Sequence, residues 1–254
     1  MTKTVSGLEE IREIDPFEGV ELTFDGTSPN AFASAQNNSS EPALEYVYFE
    51  VSPNDGLKEG DTVTVRIPNY DEEDIIKNYG VRFSQTEKTY TVEGVDAYLM
   101  TNDNLDPAAL ETMKQATEEY VEEYFNDDYR AKEIKASDVQ YVGYYLLTNK
   151  STNVWTGYNK VYVVYSATVS SKAKKKTFKP KTVYFPVEYD DIKKLADGTY
   201  EINTSYRRIL GSTDLQFGYW QTVDGYTSLE TMADELIHDD EENYDGIAYD
   251  GLTG

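Results

Sequence analysis

Asp106-Pro107-Ala108-Ala109-Leu110-Glu111-Thr112-Met113-Lys114-Gln115-Ala116-Thr117-Glu118-Glu119-Tyr120-Val121-Glu122-Glu123-Tyr124 reads as one long helix. Asp106 can cap the orphan amides of a first turn, and proline is tolerated at the first helical position. Leu110, Met113, Thr117, Tyr120, Val121 and Tyr124 then share one face at helical spacing. Glu111, Lys114, Glu118, Glu119, Glu122 and Glu123 take the other, so the helix has one face to bury and one to solvate.

Four β-like runs follow it: Val139–Thr148, Lys160–Ser170, Thr182–Tyr189 and Thr199–Tyr206, with Asp197-Gly198 as a turn before the last. Sequential strands with short links pair antiparallel. The expectation is an α+β domain over 97–237, a long helix covering one face of a four-stranded antiparallel sheet, in the cystatin or NTF2-like layer order. Ser228 caps a shorter helix with Leu229, Met232, Leu236 and Ile237 as its apolar stripe. The acidic segment 238–254 is expected to be a weakly ordered tail.

The texture before residue 97 is different. Val20, Leu22 and Phe24 alternate with polar residues, Phe32–Ala35 and Leu44–Val51 read as strands, and Thr62–Ile67 alternates cleanly up to Pro68. An acidic link, then Gly80–Phe83 and Glu87–Val92, complete roughly six short strands with turn signals about every ten residues, the pattern of a small β-sandwich. The predicted organisation is therefore a leader or linker over 1–14, an Ig-like β-sandwich over 15–96, the α+β domain and the tail, with no internal repeat.

Phe17-Glu18-Gly19-Val20-Glu21-Leu22-Thr23-Phe24-Asp25-Gly26 resembles the opening of a β-sandwich module in surface proteins of Gram-positive bacteria, mostly clostridia and their relatives. Gly56-Leu57-Lys58-Glu59-Gly60-Asp61-Thr62-Val63-Thr64-Val65 resembles that group's GL-x-x-GD-x-V-x-V stretch, and Tyr79–Val81 through Tyr90–Val95 its closing strand. The chain departs from the group after Asp25-Gly26, where Thr27-Ser28-Pro29-Asn30 stands in place of further glycines. The resemblance covers about residues 15–95 well and the second half loosely. It implies an extracellular location behind a membrane anchor or lipoprotein signal that has been removed, and it brings no catalytic residues. The glycine-rich turn also explains itself, since Gly56 and Gly60 permit positive φ and Asp61 can bond local amides.

Composition narrows the function classes. The 254 residues carry 47 acidic and 23 basic side chains, a net charge of -24, which phosphate backbones repel, so nucleic acid is not an expected partner. No cysteine is present, which excludes disulfides, thiolate metal sites and cysteine nucleophiles. No apolar run approaches the length of about 18 residues that a membrane-spanning helix needs. The single histidine, His238, follows a helix end beside Asp239 and Asp240, a capping position rather than a catalytic relay. Zinc would find only carboxylates beside it.

Three features carry candidate chemistry. Carboxylate-rich loops supply oxygens for calcium, with Asp239, Asp240 and Asp245 as candidate ligands, although none has EF-hand spacing. The basic run Lys172, Lys174, Lys175, Lys176, Lys179 and Lys181 lies where two strands turn, and could contact anionic headgroups or wall polymers. Tyr144, Trp155, Tyr158, Tyr219 and Trp220 are the candidate ligand-binding aromatics. Neighbouring strand residues face opposite sides, so Tyr144 and Tyr145 are not expected both to be core, and some tyrosines should line an open sheet face. The leading expectation is a monomeric, non-enzymatic surface module, needing no cofactor, that joins a spacer to a domain binding a wall polymer or another surface protein. A calcium-dependent carbohydrate-binding module is the alternative. A glycan or peptidoglycan hydrolase, using two carboxylates roughly 5–10 Å apart across a cleft, is the third.

Overall fold

The computed structural model describes residues 10–101, 105–152, 157–172 and 177–252. The chain divides into two compact units, 1–97 and 98–254, and belongs to the mixed α+β class with strands predominating.

In the first unit, Arg12–Ile14 (β1) is followed by Val20–Asp25 (β2), Thr27–Ser28 (β3), Phe32–Asn37 (β4), Glu50–Ser52 (β5) and Thr62–Arg66 (β6). The helix Glu72–Tyr79 (α1), the strands Val81–Phe83 (β7) and Glu87–Thr91 (β8), and the boundary strand Asp96–Tyr98 (β9) complete it. β2 and β4 form an antiparallel pair, β5-β6-β8 an antiparallel sheet, β1 pairs parallel with β7, and β3 with the start of β9. Leu22 and Val51 reach the same apolar clusters as Val63, Val65 and Val92, so the β2–β4 pair and the three-stranded sheet bury their inner faces together. Alternation along β6 accounts for this: Val63 and Val65 are fully buried, while Thr62 and Arg66 are exposed.

Three expectations for this unit are corrected. Residues 12–14 are no leader, because β1 runs alongside β7 and Arg12 grips Glu41 through a contact of 2.8 Å. Leu44–Val51 is not one strand. Pro42–Leu44 is a 3-10 turn, and the Asn37 side-chain amide donates to the carbonyls of Leu44 and Val47, drawing the chain into a loop that becomes strand only at Glu50. The acidic link is a helix: the Asp71 carboxylate accepts from the Asp74 amide, three acids fill the first turn, and the helix stops at left-handed Gly80.

The second unit opens with Pro107–Asn126 (α2) and Arg130–Glu133 (α3). Ile134–Asn149 (β10), Asn159–Ser171 (β11) and Lys181–Asp190 (β12) are its long strands. The short strands Lys193–Lys194 (β13) and Tyr200–Glu201 (β14), the hairpin Ser212–Phe217 (β15) and Gln221–Asp224 (β16), the helix Leu229–Leu236 (α4) and the strand Tyr244–Asp250 (β17) follow. Asp106 caps α2 through the Ala108 amide at 2.8 Å. The buried stripe of α2 is Ala109, Met113, Ala116, Thr117, Val121, Tyr124 and Phe125, with Leu110 and Tyr120 at its margin.

The main sheet has the order β12-β11-β10-β17, all antiparallel. Its fourth strand is not the run at 199–206, where only Tyr200 and Glu201 pair, and then with β13. It is the C-terminal segment: Tyr244–Asp250 lies in register with Gly143–Asn149. The expected weak tail is thus an edge of the core sheet, and the second domain runs beyond 237. Gly143 permits the join, because a Cβ there would meet the Tyr249 carbonyl.

Both faces of this sheet are covered. Tyr144, Leu146, Val163 and Phe185 pack on one side with Met113, Val121 and Phe125 of α2 and with Leu215, Phe217 and Val223 of the hairpin. Tyr145, Leu147, Tyr162 and Val164 pack on the other with Met232, Ala233 and Leu236 of α4 and with Leu252. Tyr144 and Tyr145 are therefore both core, contrary to expectation. They do point to opposite faces, but each face has its own layer, so a two-layer cystatin or NTF2-like order is replaced by three layers. A buried asparagine closes one end: Asn159 donates to the Ile192 carbonyl and accepts from its amide, both at 2.9 Å.

Candidate functional site

With both sheet faces covered, Tyr206, Tyr219 and Trp220 are the most exposed aromatics of the second unit, and of these Tyr219 and Trp220 are adjacent. β15 and β16 pair down to Phe217 opposite Gln221, so Gly218, Tyr219 and Trp220 form the tip of the hairpin. Gly218 is required twice over: its φ of +58° is left-handed, and a Cβ would collide with the Tyr129 hydroxyl. Tyr219 is 76% exposed and Trp220 is 89% exposed. Two large aromatics this open at a built turn form a patch of the kind that marks a contact surface.

The base of the tip is set by side chains around the turn from α2 into α3. The Tyr129 hydroxyl donates to Gln221 Oε1 at 3.4 Å, and its ring lies 6.1 Å from that of Phe217. Asp127 accepts from the amides of Tyr129 and Arg130, fixing the turn that presents both. The Arg130 guanidinium lies 4.2 Å over the Tyr124 ring, and the Tyr124 hydroxyl accepts from the Asp224 amide. Burial raises the Asp224 carboxyl above the ordinary aspartate value, opposed by the Arg130 charge and the Tyr124 hydrogen bond. Burial likewise pushes the Tyr124 hydroxyl up to about 12, so it stays protonated at neutral pH.

The basic residues arrive at the same end because β11 finishes and β12 begins there. The Lys172 amide donates to the Glu133 carbonyl at 2.7 Å and its ammonium to the Ala131 carbonyl at 2.9 Å, tying it to α3. Lys181 stands 4.0 Å from Asp214 of β15. Lys172, Lys179 and Lys181 are exposed, as is Lys132 on α3. Lys174, Lys175 and Lys176 lie outside the described residues. The arrangement offers a held Lys172 and an exposed Lys181 in the unit that carries the aromatic tip, chemistry suited to meeting anionic groups at an apolar–polar boundary.

The remaining sequence candidates are elsewhere. Tyr144 is buried, with its ring stacked on Tyr249 at 4.5 Å, and cannot meet a ligand. Tyr158 is half-buried and stacked on Tyr98 at 4.1 Å, so that ring face is already occupied. Trp155 lies outside the described residues. Asp240 is held by Lys160 at 2.8 Å and by the Asn243 amide, and Asp245 faces Lys150 at 3.5 Å. Asp239 belongs to the same short 3-10 turn as Asp240. Among the described residues no group of three or more carboxylates or histidines has the geometry to hold a metal. The expected calcium ligands are thus paired with lysines at two of three positions. Desolvation works to raise the Asp240 carboxyl, but the Lys160 and Asn243 bonds outweigh it and hold the group below the ordinary value. His238 Nδ1 lies 2.9 Å from Asp234 one helical turn back. The concavity beside it is bounded by Glu241, Glu242 and Asp245, all exposed to water.

Sequence reasoning missed Tyr129 and Arg130, whose role depends on the hairpin folding back over α3. It also missed Tyr46, Tyr48 and Tyr79, which line a groove in the first unit. No known family profile, no curated protein and no solved structure matches this chain. No helix among the described residues is long and apolar enough to cross a membrane.

Proposed function

We propose that this chain is a non-catalytic binding module of a cell surface. In this reading the first unit is an Ig-like sandwich serving as a spacer, and the second docks through its hairpin tip onto an anionic surface polymer. One observation carries the reading. Tyr219 and Trp220 stand at the tip of the hairpin that Tyr129 meets and whose Asp214 lies by Lys181, and Lys172 is bonded to the adjoining α3, in a chain whose net charge is -24. A strongly acidic protein is repelled from an anionic surface at long range, so a local basic end sets which way it can approach. At contact, tryptophan and tyrosine favour the boundary between an apolar phase and water.

The test is co-sedimentation of the protein with purified Gram-positive cell walls and, separately, with phosphatidylglycerol vesicles. Binding should weaken with added salt. It should fall about tenfold or more in Tyr219→Ser/Trp220→Ser, by analogy with truncated aromatic anchors. Charge reversal at Lys172, Lys179 and Lys181 should abolish the salt-sensitive part. Walls and vesicles distinguish a polymeric from a lipid source of the anionic group. Binding to neither, or binding untouched by both sets of substitutions, defeats the proposal.

A further inference from the structure

We propose a second docking site, on the first unit: the groove between the Tyr46–Tyr48 loop and α1 takes an extended, proline-containing basic segment of a partner protein. This goes beyond the surface-binding reading and uses none of its residues.

The groove has a volume of about 250 Å³, and all of its lining residues are uncharged. Tyr46 is 84% exposed, Tyr48 70% and Tyr79 43%, so three tyrosine rings stand into solvent around one depression. Tyr79 and Ile75 lie four apart on α1 and share a helix face. Pro68 and Asn69 close the opposite end, where β6 leaves the sheet. This wall is braced from behind, since Tyr70 stacks on Phe83 at 4.8 Å and its hydroxyl accepts from the Phe83 amide. The loop that carries Tyr46 and Tyr48 is held by the Asn37 amide on the Leu44 and Val47 carbonyls, and by the Val47 amide on the Leu44 carbonyl at 3.0 Å. The rings are therefore exposed on a fixed backbone, which lowers the ordering cost of binding.

The volume is below that of pockets for whole small molecules, about 300–1,000 Å³, and suits one or two side chains of a longer ligand. Proline-rich segments in the polyproline II form dock in aromatic-lined grooves, because their shape is set before binding and their backbone asks for few directed hydrogen bonds. A glycan asks for several converging polar side chains, and here the polar lining is Asn69 and the phenol hydroxyls.

Charge selects the basic form of such a peptide. Asp71, Glu72, Glu73 and Asp74 run consecutively between Asn69 and Ile75 of the lining, and Glu45 precedes Tyr46. All five are exposed, and although Glu72 is engaged by Arg82 at 2.7 Å, this edge of the groove is strongly acidic, with Lys77 as the single cation of α1.

The experiment is fluorescence anisotropy of the full chain with a labelled peptide of repeated Pro-Pro-Arg triplets. Peptides of Pro-Pro-Glu and of Gly-Ser-Arg serve as controls, and chitohexaose as competitor. The Pro-Pro-Arg peptide should bind, with both controls weaker by about tenfold or more. Tyr48→Ala and Tyr46→Ala should each weaken it about tenfold, the size of an aromatic hot-spot loss. Both side chains are exposed, so an unchanged melting temperature certifies the fold of each variant. Tyr219→Ser/Trp220→Ser should leave peptide binding unaltered, which separates failure here from failure of the surface-binding reading. Equal binding of Gly-Ser-Arg, displacement by chitohexaose, insensitivity to the tyrosine substitutions, or no binding overturns the proposal.

Discussion

Replacing Tyr244 by alanine tests whether the C-terminal segment is part of the core sheet. Tyr244 is 2% exposed and opens β17 opposite Asn149 of β10. Its hydroxyl donates to the Gly157 carbonyl at 3.1 Å, and the Lys160 ammonium sits 4.6 Å over its ring. Removing a buried aromatic ring costs about 3–5 kcal/mol, cavity included. The lost hydrogen bond adds about 1 kcal/mol. For a unit of this size each kcal/mol shifts the melting temperature by about 2–4 °C, so Tyr244→Ala should lower it by roughly 8–24 °C. Tyr244→Phe keeps the ring and loses only the hydroxyl, for about 1 kcal/mol and roughly 2–4 °C. Thermal unfolding followed by near-ultraviolet circular dichroism reads both. Hydrogen exchange gives the local answer: amides of 244–250 that pair with β10 should be protected in the parent and lose protection in the alanine variant. A parent whose 244–250 amides exchange as fast as free chain, together with an alanine variant melting within a degree or two of it, refutes the edge-strand assignment.

Asn159→Ala should be among the costliest polar substitutions. It strands the buried Ile192 amide, while the Ile192 carbonyl keeps the Leu99 amide at 3.2 Å, for a cost of about 1–3 kcal/mol readable as a lower urea midpoint. The Asp240 carboxyl titrates below the ordinary value of 3.8 in the folded chain, so near that pH the unfolded chain binds more protons. Its contribution to stability is then present above 3.8 and is lost as pH falls through the folded value. The urea midpoint of the parent should fall more on acidification than that of Asp240→Asn, and equal falls would remove the Lys160 pair from the account.

The local elements were legible because their signals are local. Asp106-Pro107 and the spacing of Met113, Thr117, Val121 and Tyr124 specify α2 whatever surrounds it, and Val63 and Val65 specify the inner face of β6. Even the missed helix α1 carried its own marks in Asp71, the acids after it and Gly80, hidden by reading four acids as a link. The sites were legible only in part. Tyr219, Trp220 and the lysines could be named from residue type, but their meeting at one end depends on the hairpin folding onto Tyr129. Tyr144 and Tyr158 look equally aromatic in sequence and are consumed by Tyr249 and Tyr98.

By itself, then, the sequence determined an acidic, cysteine-free chain with a strand-rich first part, one long capped helix and a set of tyrosine-rich strands after it. Tertiary structure alone decided which strand fills the sheet edge, that both sheet faces are covered, and which tyrosines remain outside. The physical reason is range. Caps and periodicity act over a few residues, whereas Tyr141 reaches Asp250 at 2.6 Å across a separation of 109 residues, and no local pattern encodes a pairing between segments so far apart.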